Sequence, residues 1–100
     1  MANYNASGLI SLSELSKNDK KSWWVYIVIC SDNSFYTGIT NNIKKRIETH
    51  NSGRGAKYTQ NKLPVKLIYS ECFKNRVDAG KREYQIKQLS RIEKENLINS

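Results

Sequence analysis

The chain has 100 residues, 38% hydrophobic and 26% charged, which suits one small soluble domain with a single core. Its longest apolar run, Trp23 to Cys30, is far short of the ~20 residues that span a bilayer, so no membrane partner is expected. Seventeen basic residues against nine acidic give a net charge of +8 and a pI near 9.6, an excess that favours a nucleic-acid partner over solubility alone.

Residues 1–22 are rich in Ser, Asn and Lys and lack the apolar stretch of a secretory signal. They read as a flexible N-terminal arm with at most a helical turn around Leu12–Leu15, and the cytoplasm is the expected location. The domain proper is 23–100. Trp23 to Cys30 is continuous, β-branched and aromatic, as in a strand covered on both faces. Ser31-Asp32-Asn33-Ser34 is turn chemistry, and Phe35 to Ile39 returns as a second strand, which makes a hairpin.

Thr40 or Asn41 can cap a helix running to about Asn51, its buried side marked by Ile43 and Ile47. Ser52 to Leu63 is a loop with two glycines, Gly53 and Gly55, and the basic residues Arg54, Lys57 and Lys62. A loop this long in a compact domain is usually functional or mobile. Pro64 opens a third strand, 65–73, whose alternation breaks at Ile68-Tyr69. Helices are expected over 76–89 and 91–98. The order is β-β-α-β-α-α, an α/β (α+β) fold with a small three-stranded mixed sheet packed against helices. Cys30 and Cys72 both fall in apolar, strand-like segments and read as buried free thiols; with a single histidine they fall short of a zinc site.

Three polar residues sit uncomfortably on apolar faces. At ~100° per residue Ala79, Glu83 and Ile86 share a sector of the second helix, so Glu83 needs a cation. That cation is either Lys87 or Arg82 in a salt bridge, or a bound metal. On the first helix Arg46 and His50, four apart, flank Ile43 and Ile47. They are either rim residues with stems along the core, or a phosphate-binding arginine beside a group that titrates near neutral pH. Tyr26 and Tyr36 share a face if the hairpin has a three-residue loop or a bulge, and not if it has a strict two-residue turn. Gly38 strips a side chain from the second strand and leaves room for a close backbone approach by a phosphate.

These residues resemble the paired motifs of the GIY-YIG nucleases. The first strand reads Val25-Tyr26-Ile27 and the second Tyr36-Thr37-Gly38; Arg46, His50 and Glu83 follow at the family's spacing, over about residues 23–98. The likeness is greatest to the small stand-alone members, with similar runs at Tyr36-Thr37-Gly38-Ile39-Thr40, Gly55-Ala56-Lys57-Tyr58-Thr59 and Ile86-Lys87-Gln88-Leu89-Ser90. Two departures are Trp24 in place of the first motif's glycine and Ile39 in place of a basic residue.

The resemblance implies a phosphodiester hydrolase with Tyr26, Tyr36, Arg46, His50 and Glu83 as catalytic residues. Glu83 would carry Mg²⁺ or Mn²⁺, and Arg46 would offset charge on the phosphoryl oxygens. Tyr26, its pKa depressed by nearby cations, would deprotonate the attacking water, with His50 as the alternative base. Lys44, Lys45, Arg54, Lys57 and Tyr58 suit backbone charge and base stacking rather than base-edge reading, so low sequence specificity is expected. DNA is implied over RNA by the resemblance alone, in a repair or recombination setting. A lone centre would nick, or cut single-stranded or branched substrates, unless the protein forms a homodimer or works with a larger repair protein. The competing reading is a non-catalytic nucleic-acid-binding module of the same fold, which the Trp24 and Ile39 departures favour.

Overall fold

A computed structural model of the protein describes residues 22–100; apart from Ser22, the arm expected at 1–22 lies outside the described residues, as does the turn around Leu12–Leu15. Three strands, β1 (Trp23–Ile29), β2 (Phe35–Thr40) and β3 (Lys66–Phe73), form one sheet in the order β2-β1-β3. Three helices follow the expected plan: α1 (Ile43–Asn51), α2 (Arg76–Lys87) and α3 (Arg91–Ile98). Among the described residues no helix is long and apolar enough to cross a membrane.

Both strand pairings are antiparallel, so the sheet is antiparallel throughout and not mixed. The chain path explains this. β2 ends beside the start of β1, with Thr40 opposite Trp24, and α1 then carries the chain back along the sheet. β3 therefore begins beside the end of β1, Lys66 opposite Ile29, and must run against it.

The central strand is buried on both faces because β1 supplies two different cores. Trp24, Tyr26, Val28 and Cys30 alternate onto one face with Ile43 and Ile47 of α1 and with Val65. Val25 and Ile27 face the other side, against Ile68, Ala79, Ile86 and Ile98. Ile86 is fully buried there, so Ile86→Ala would destabilise by about 2–5 kcal/mol. The broken alternation at Ile68-Tyr69 is a β-bulge: Ile27 pairs with Tyr69 and Val28 with Leu67, which leaves Ile68 between them on the α2 side.

Helix boundaries differ from expectation by a residue or two. The α1 cap is Asn42, whose side chain accepts from the Lys45 amide at 3.1 Å; Thr40 supports it by accepting from the Asn42 amide at 3.1 Å. α2 stops at Lys87 because Ser90 starts α3 with a capping box closed by Glu93. Cys30 is a buried free thiol, as expected, but Cys72 is exposed, since β3 is an edge strand.

Candidate active site

The hairpin loop decides where the two tyrosines point. Cys30 pairs its amide with the Ser34 carbonyl at 2.8 Å, and Asn33 returns to the Cys30 carbonyl at 2.9 Å, leaving the three residues Ser31, Asp32 and Asn33 as the loop. Asn33 takes the left-handed conformation this loop needs, φ 68°, which asparagine tolerates better than most residues. Tyr26 then faces Gly38 and Val28 faces Tyr36, so both tyrosines lie on the α1 side, with ring centroids 6.5 Å apart.

α1 supplies the other two members one turn apart. The Tyr26 hydroxyl lies 2.8 Å from His50 Nε2 and accepts from Arg46 Nε at 3.3 Å. Arg46 also interacts with Tyr36, whose ring meets the His50 ring edge-on at 5.4 Å. Of the five candidate catalytic residues, four therefore converge: Tyr26, Tyr36, Arg46 and His50. The space beside Gly38, expected to admit a phosphate, is instead filled by this tyrosine: a Cβ there would stand 2.6 Å from the Tyr26 hydroxyl.

Depth of burial sets the proton affinities. Tyr26 is 1% exposed and His50 0%. Burial pushes the Tyr26 phenol up to about 12, although the hydrogen bond and charge of Arg46 pull the other way. The expected depression of this group is therefore reversed, because desolvating a phenolate outweighs one neighbouring guanidinium. Burial, reinforced by the Arg46 charge, lowers His50 to about 4. At neutral pH a neutral phenol faces a neutral imidazole.

Glu83 comes from α2 and pairs with Lys87, which lines a recess with Tyr36 and Tyr58. α2 packs on the opposite face of the sheet, and the Glu83 carboxylate, 23% exposed, is held by Lys87 Nζ at 3.2 Å. Its charge nevertheless reaches Tyr26 and adds to the rise of that phenol. The salt bridge to Lys87 that the sequence offered for it is formed. Arg82 pairs instead with Glu71 at 3.1 Å.

Lys44, Lys45, Arg54, Lys57 and Tyr58 are all exposed. Lys45 and Arg46 line a polar recess of about 240 Å³ with Thr40, Asn41, Asn42 and Thr49 at the start of α1. Tyr58, 45% exposed, stacks on Tyr36 at 6.0 Å, and Lys62 Nζ sits 3.6 Å from its ring centre. Sequence reasoning noted Lys62 only as a basic loop residue, and it missed Thr59. Thr59 is fully buried, and its hydroxyl lies 2.9 Å from His50 Nδ1. The one signal for both residues was the run Gly55-Ala56-Lys57-Tyr58-Thr59 and the loop around it.

A family model for the GIY-YIG catalytic domain matches residues 22–96. The chain belongs to the GIY-YIG family. It is 56% identical over 77 residues to the UPF0213 protein CPE1444 of Clostridium perfringens, covering 77% of this chain and 83% of that one. The solution structure of EF2693 from E. faecalis shares 42% identity and a TM-score of 0.57, over 82% of this chain and 86% of that one. That of the UPF0213 protein BH0048 from Bacillus halodurans also shares 42%, with a TM-score of 0.52 over 78% and 83%.

Membership places the chain in a nuclease family. The two departures from the GIY-YIG motifs both point into cores. Trp24 is packed under α1, its indole nitrogen without a hydrogen-bond partner among the described residues, and Ile39 packs with the α2 core. GIY-YIG nucleases are generally metal-dependent, and the donor set here fits one kind of ion. Among the described residues no three His, Cys, Asp or Glu side chains gather into a cage. A single partly exposed carboxylate suits a hard divalent cation that keeps most of its waters and completes its shell on a substrate phosphate. A metal there would displace the Lys87 ammonium, 3.2 Å from the carboxylate.

Proposed function

We propose that the protein is a metal-dependent endonuclease that hydrolyses phosphodiester bonds in DNA with low sequence specificity. The observation that carries this reading is the hydrogen-bonded chain from half-buried Arg46 through the buried Tyr26 hydroxyl to His50 Nε2. Such a chain can move a proton inward while its outer end remains cationic. A packing role alone gives no reason to bury a tyrosine and a histidine in one line with an arginine nitrogen.

The mechanism uses His50 as the final base and Tyr26 as the conduit. Tyr26 stays protonated at neutral pH, so it gives up its proton only as it receives another. As water attacks the phosphorus and the bond to the leaving oxygen breaks, the water proton passes to the Tyr26 oxygen and the phenol proton to His50 Nε2. Arg46 offsets the charge that builds on the phosphoryl oxygens. Glu83 is the residue that would hold Mg²⁺ or Mn²⁺, which supplies Lewis-acid stabilisation of the leaving oxygen when bound. Lys44, Lys45, Arg54 and Lys57 supply backbone contacts, and Tyr58 a stacking surface. One centre per chain suits nicking, or cutting of single-stranded or branched DNA, in repair or recombination.

The reading of a non-catalytic binding module draws on the Glu83–Lys87 pair, since a carboxylate held by lysine needs no metal. Labelled single-stranded, duplex and branched DNA, incubated with pure protein in Mg²⁺, Mn²⁺ or EDTA, separates the two. Cleavage that requires the metal is the expected result. Tight binding without cleavage of any substrate would establish the module.

A further inference from the structure

His50 can take a proton from Tyr26 only if the lone pair of its neutral ring sits on Nε2. Nothing within α1 decides this, because either ring nitrogen can carry the hydrogen. The decision lies in the glycine-containing loop. The Thr59 hydroxyl donates to the Ala56 carbonyl at 2.9 Å, a group that can only accept. With its hydrogen on that carbonyl, the hydroxyl presents lone pairs toward His50 Nδ1, 2.9 Å away. In this arrangement Nδ1 carries the ring hydrogen. Nε2 is left bare, the Tyr26 hydroxyl at 2.8 Å donates to it, and the Tyr26 oxygen is free to accept from Arg46. All the donors run in one direction, from Arg46 to Nε2 on one side of the ring and from Nδ1 to Ala56 on the other.

We propose that Thr59 is a positioning residue that holds His50 in its Nδ1–H form, so that Nε2 is the proton acceptor during phosphodiester cleavage. The cleavage half of this rests on the nuclease reading above; the tautomer half does not. Gly55 makes the arrangement sterically possible. A Cβ at that position would stand 2.4 Å from His50 Nδ1 and 2.7 Å from His50 Cα, so the loop lies against the ring only with glycine there. Thr59 then closes from the short helical turn Lys57–Thr59, its amide also bonded to the Ala56 carbonyl at 3.0 Å. The groups facing the ring are Tyr26 from β1, Tyr36 from β2 and Arg46 from its own helix, while Thr59 and Gly55 bring no charge from the loop. Loss of the Thr59 hydroxyl consequently alters the tautomer without altering the charge around it.

The test pairs Thr59→Val, which keeps the shape and removes the acceptor, with Thr59→Ser, which keeps the hydroxyl. Long-range ¹H–¹⁵N spectra of His50 at neutral pH read the tautomer directly, whether or not any substrate is cut. The wild type should show a protonated Nδ1 and a bare Nε2. Thr59→Val should shift the ring toward the Nε2–H form, and Thr59→Ser should restore it. In cleavage assays Thr59→Val should lower kcat roughly 100-fold with KM little changed, and Thr59→Ser should recover most of it. A wild-type His50 found as the Nε2–H form overturns the proposal outright, and this holds even if Thr59→Val fails to fold. A Thr59→Val protein with a shifted tautomer and wild-type kcat overturns the cleavage half. A wild-type protein that cuts nothing defeats the nuclease reading and with it the cleavage half, while the spectra still decide the tautomer.

Discussion

The Tyr26 hydroxyl and His50 Nε2 are 2.8 Å apart, and burial drives their proton affinities in opposite directions, to about 12 and about 4. The wide gap makes the rate–pH profile diagnostic. If His50 is the final acceptor, kcat/KM falls about tenfold per unit as pH drops below about 4 and is flat across the neutral range. If a Tyr26 phenolate were the base, the rate would instead climb steadily through alkaline pH toward about 12. Tyr26→Phe removes one oxygen, keeps the ring in the core, and should cut at least ~100-fold more slowly with unchanged DNA affinity. Wild-type turnover in that variant removes the conduit role.

The same histidine makes stability depend on pH. Its ordinary pKa is near 6.5 and its folded value about 4, so between these the unfolded chain binds a proton that the folded one refuses. Stability from this group is fully present above pH 6.5 and is lost as pH falls toward 4, by up to roughly 3 kcal/mol. Denaturant melts at pH 7 and pH 4.5 should show that loss, and His50→Gln should flatten it. An equal acid loss in His50→Gln would assign it to other groups.

Gly38 offers a steric prediction. Its missing Cβ is where the Tyr26 hydroxyl fits, 2.6 Å from the position an alanine would occupy, with the ring carbon bearing the hydroxyl at 2.8 Å. Tyr26 is anchored in a packed core and cannot swing aside cheaply. Gly38→Ala should therefore destabilise by about 1–3 kcal/mol and reduce cleavage by more than that loss accounts for. Normal activity in a folded Gly38→Ala protein would show that the Tyr26 oxygen need not be held where it is.

The order of elements and the first-helix pair were legible because they rest on periodicity: Ile43 and Ile47 placed Arg46 and His50 beside the core. What could not be read were quantities that need the third dimension. Ser31-Asp32-Asn33-Ser34 admits more than one loop length, so whether Tyr26 and Tyr36 share a face waited on the left-handed Asn33. Arg46 beside Tyr26 argued for a lowered phenol pKa, but the depth of the central strand, which reverses it, depends on strand order. Cys72 was misjudged for the same reason, lying on an edge strand. Thr59 meets His50 from nine positions further along the chain, a contact that exists because Gly55 has no side chain.

The basic loop should act as a charge surface. Arg54 and Lys57 are exposed, on the loop that also carries Tyr58. Arg54→Ala with Lys57→Ala should weaken binding to all sequences alike and reduce the salt slope by about one or two units. Fluorescence anisotropy over a range of NaCl concentrations reads both. A loss confined to one target sequence would mean that this loop reads bases.

Glu83→Gln bears on the metal most directly, because it removes charge while keeping shape. Glu83 and Lys87 form a partly exposed i,i+4 pair, which contributes only about 0.3–0.5 kcal/mol, so the fold should barely notice the change. Cleavage should be abolished, and Mn²⁺ binding followed by calorimetry should weaken at least tenfold, with DNA affinity in EDTA unchanged. Lys87→Met supplies the opposite arm. It frees the carboxylate from its ammonium, so Mn²⁺ should bind more tightly and cleavage should need less of it. If Glu83→Gln unfolds, the pair is structural and the metal-ligand role falls. If it binds Mn²⁺ and cuts as the wild type does, the metal sits elsewhere, and the Lys87 contact is an ordinary surface ion pair.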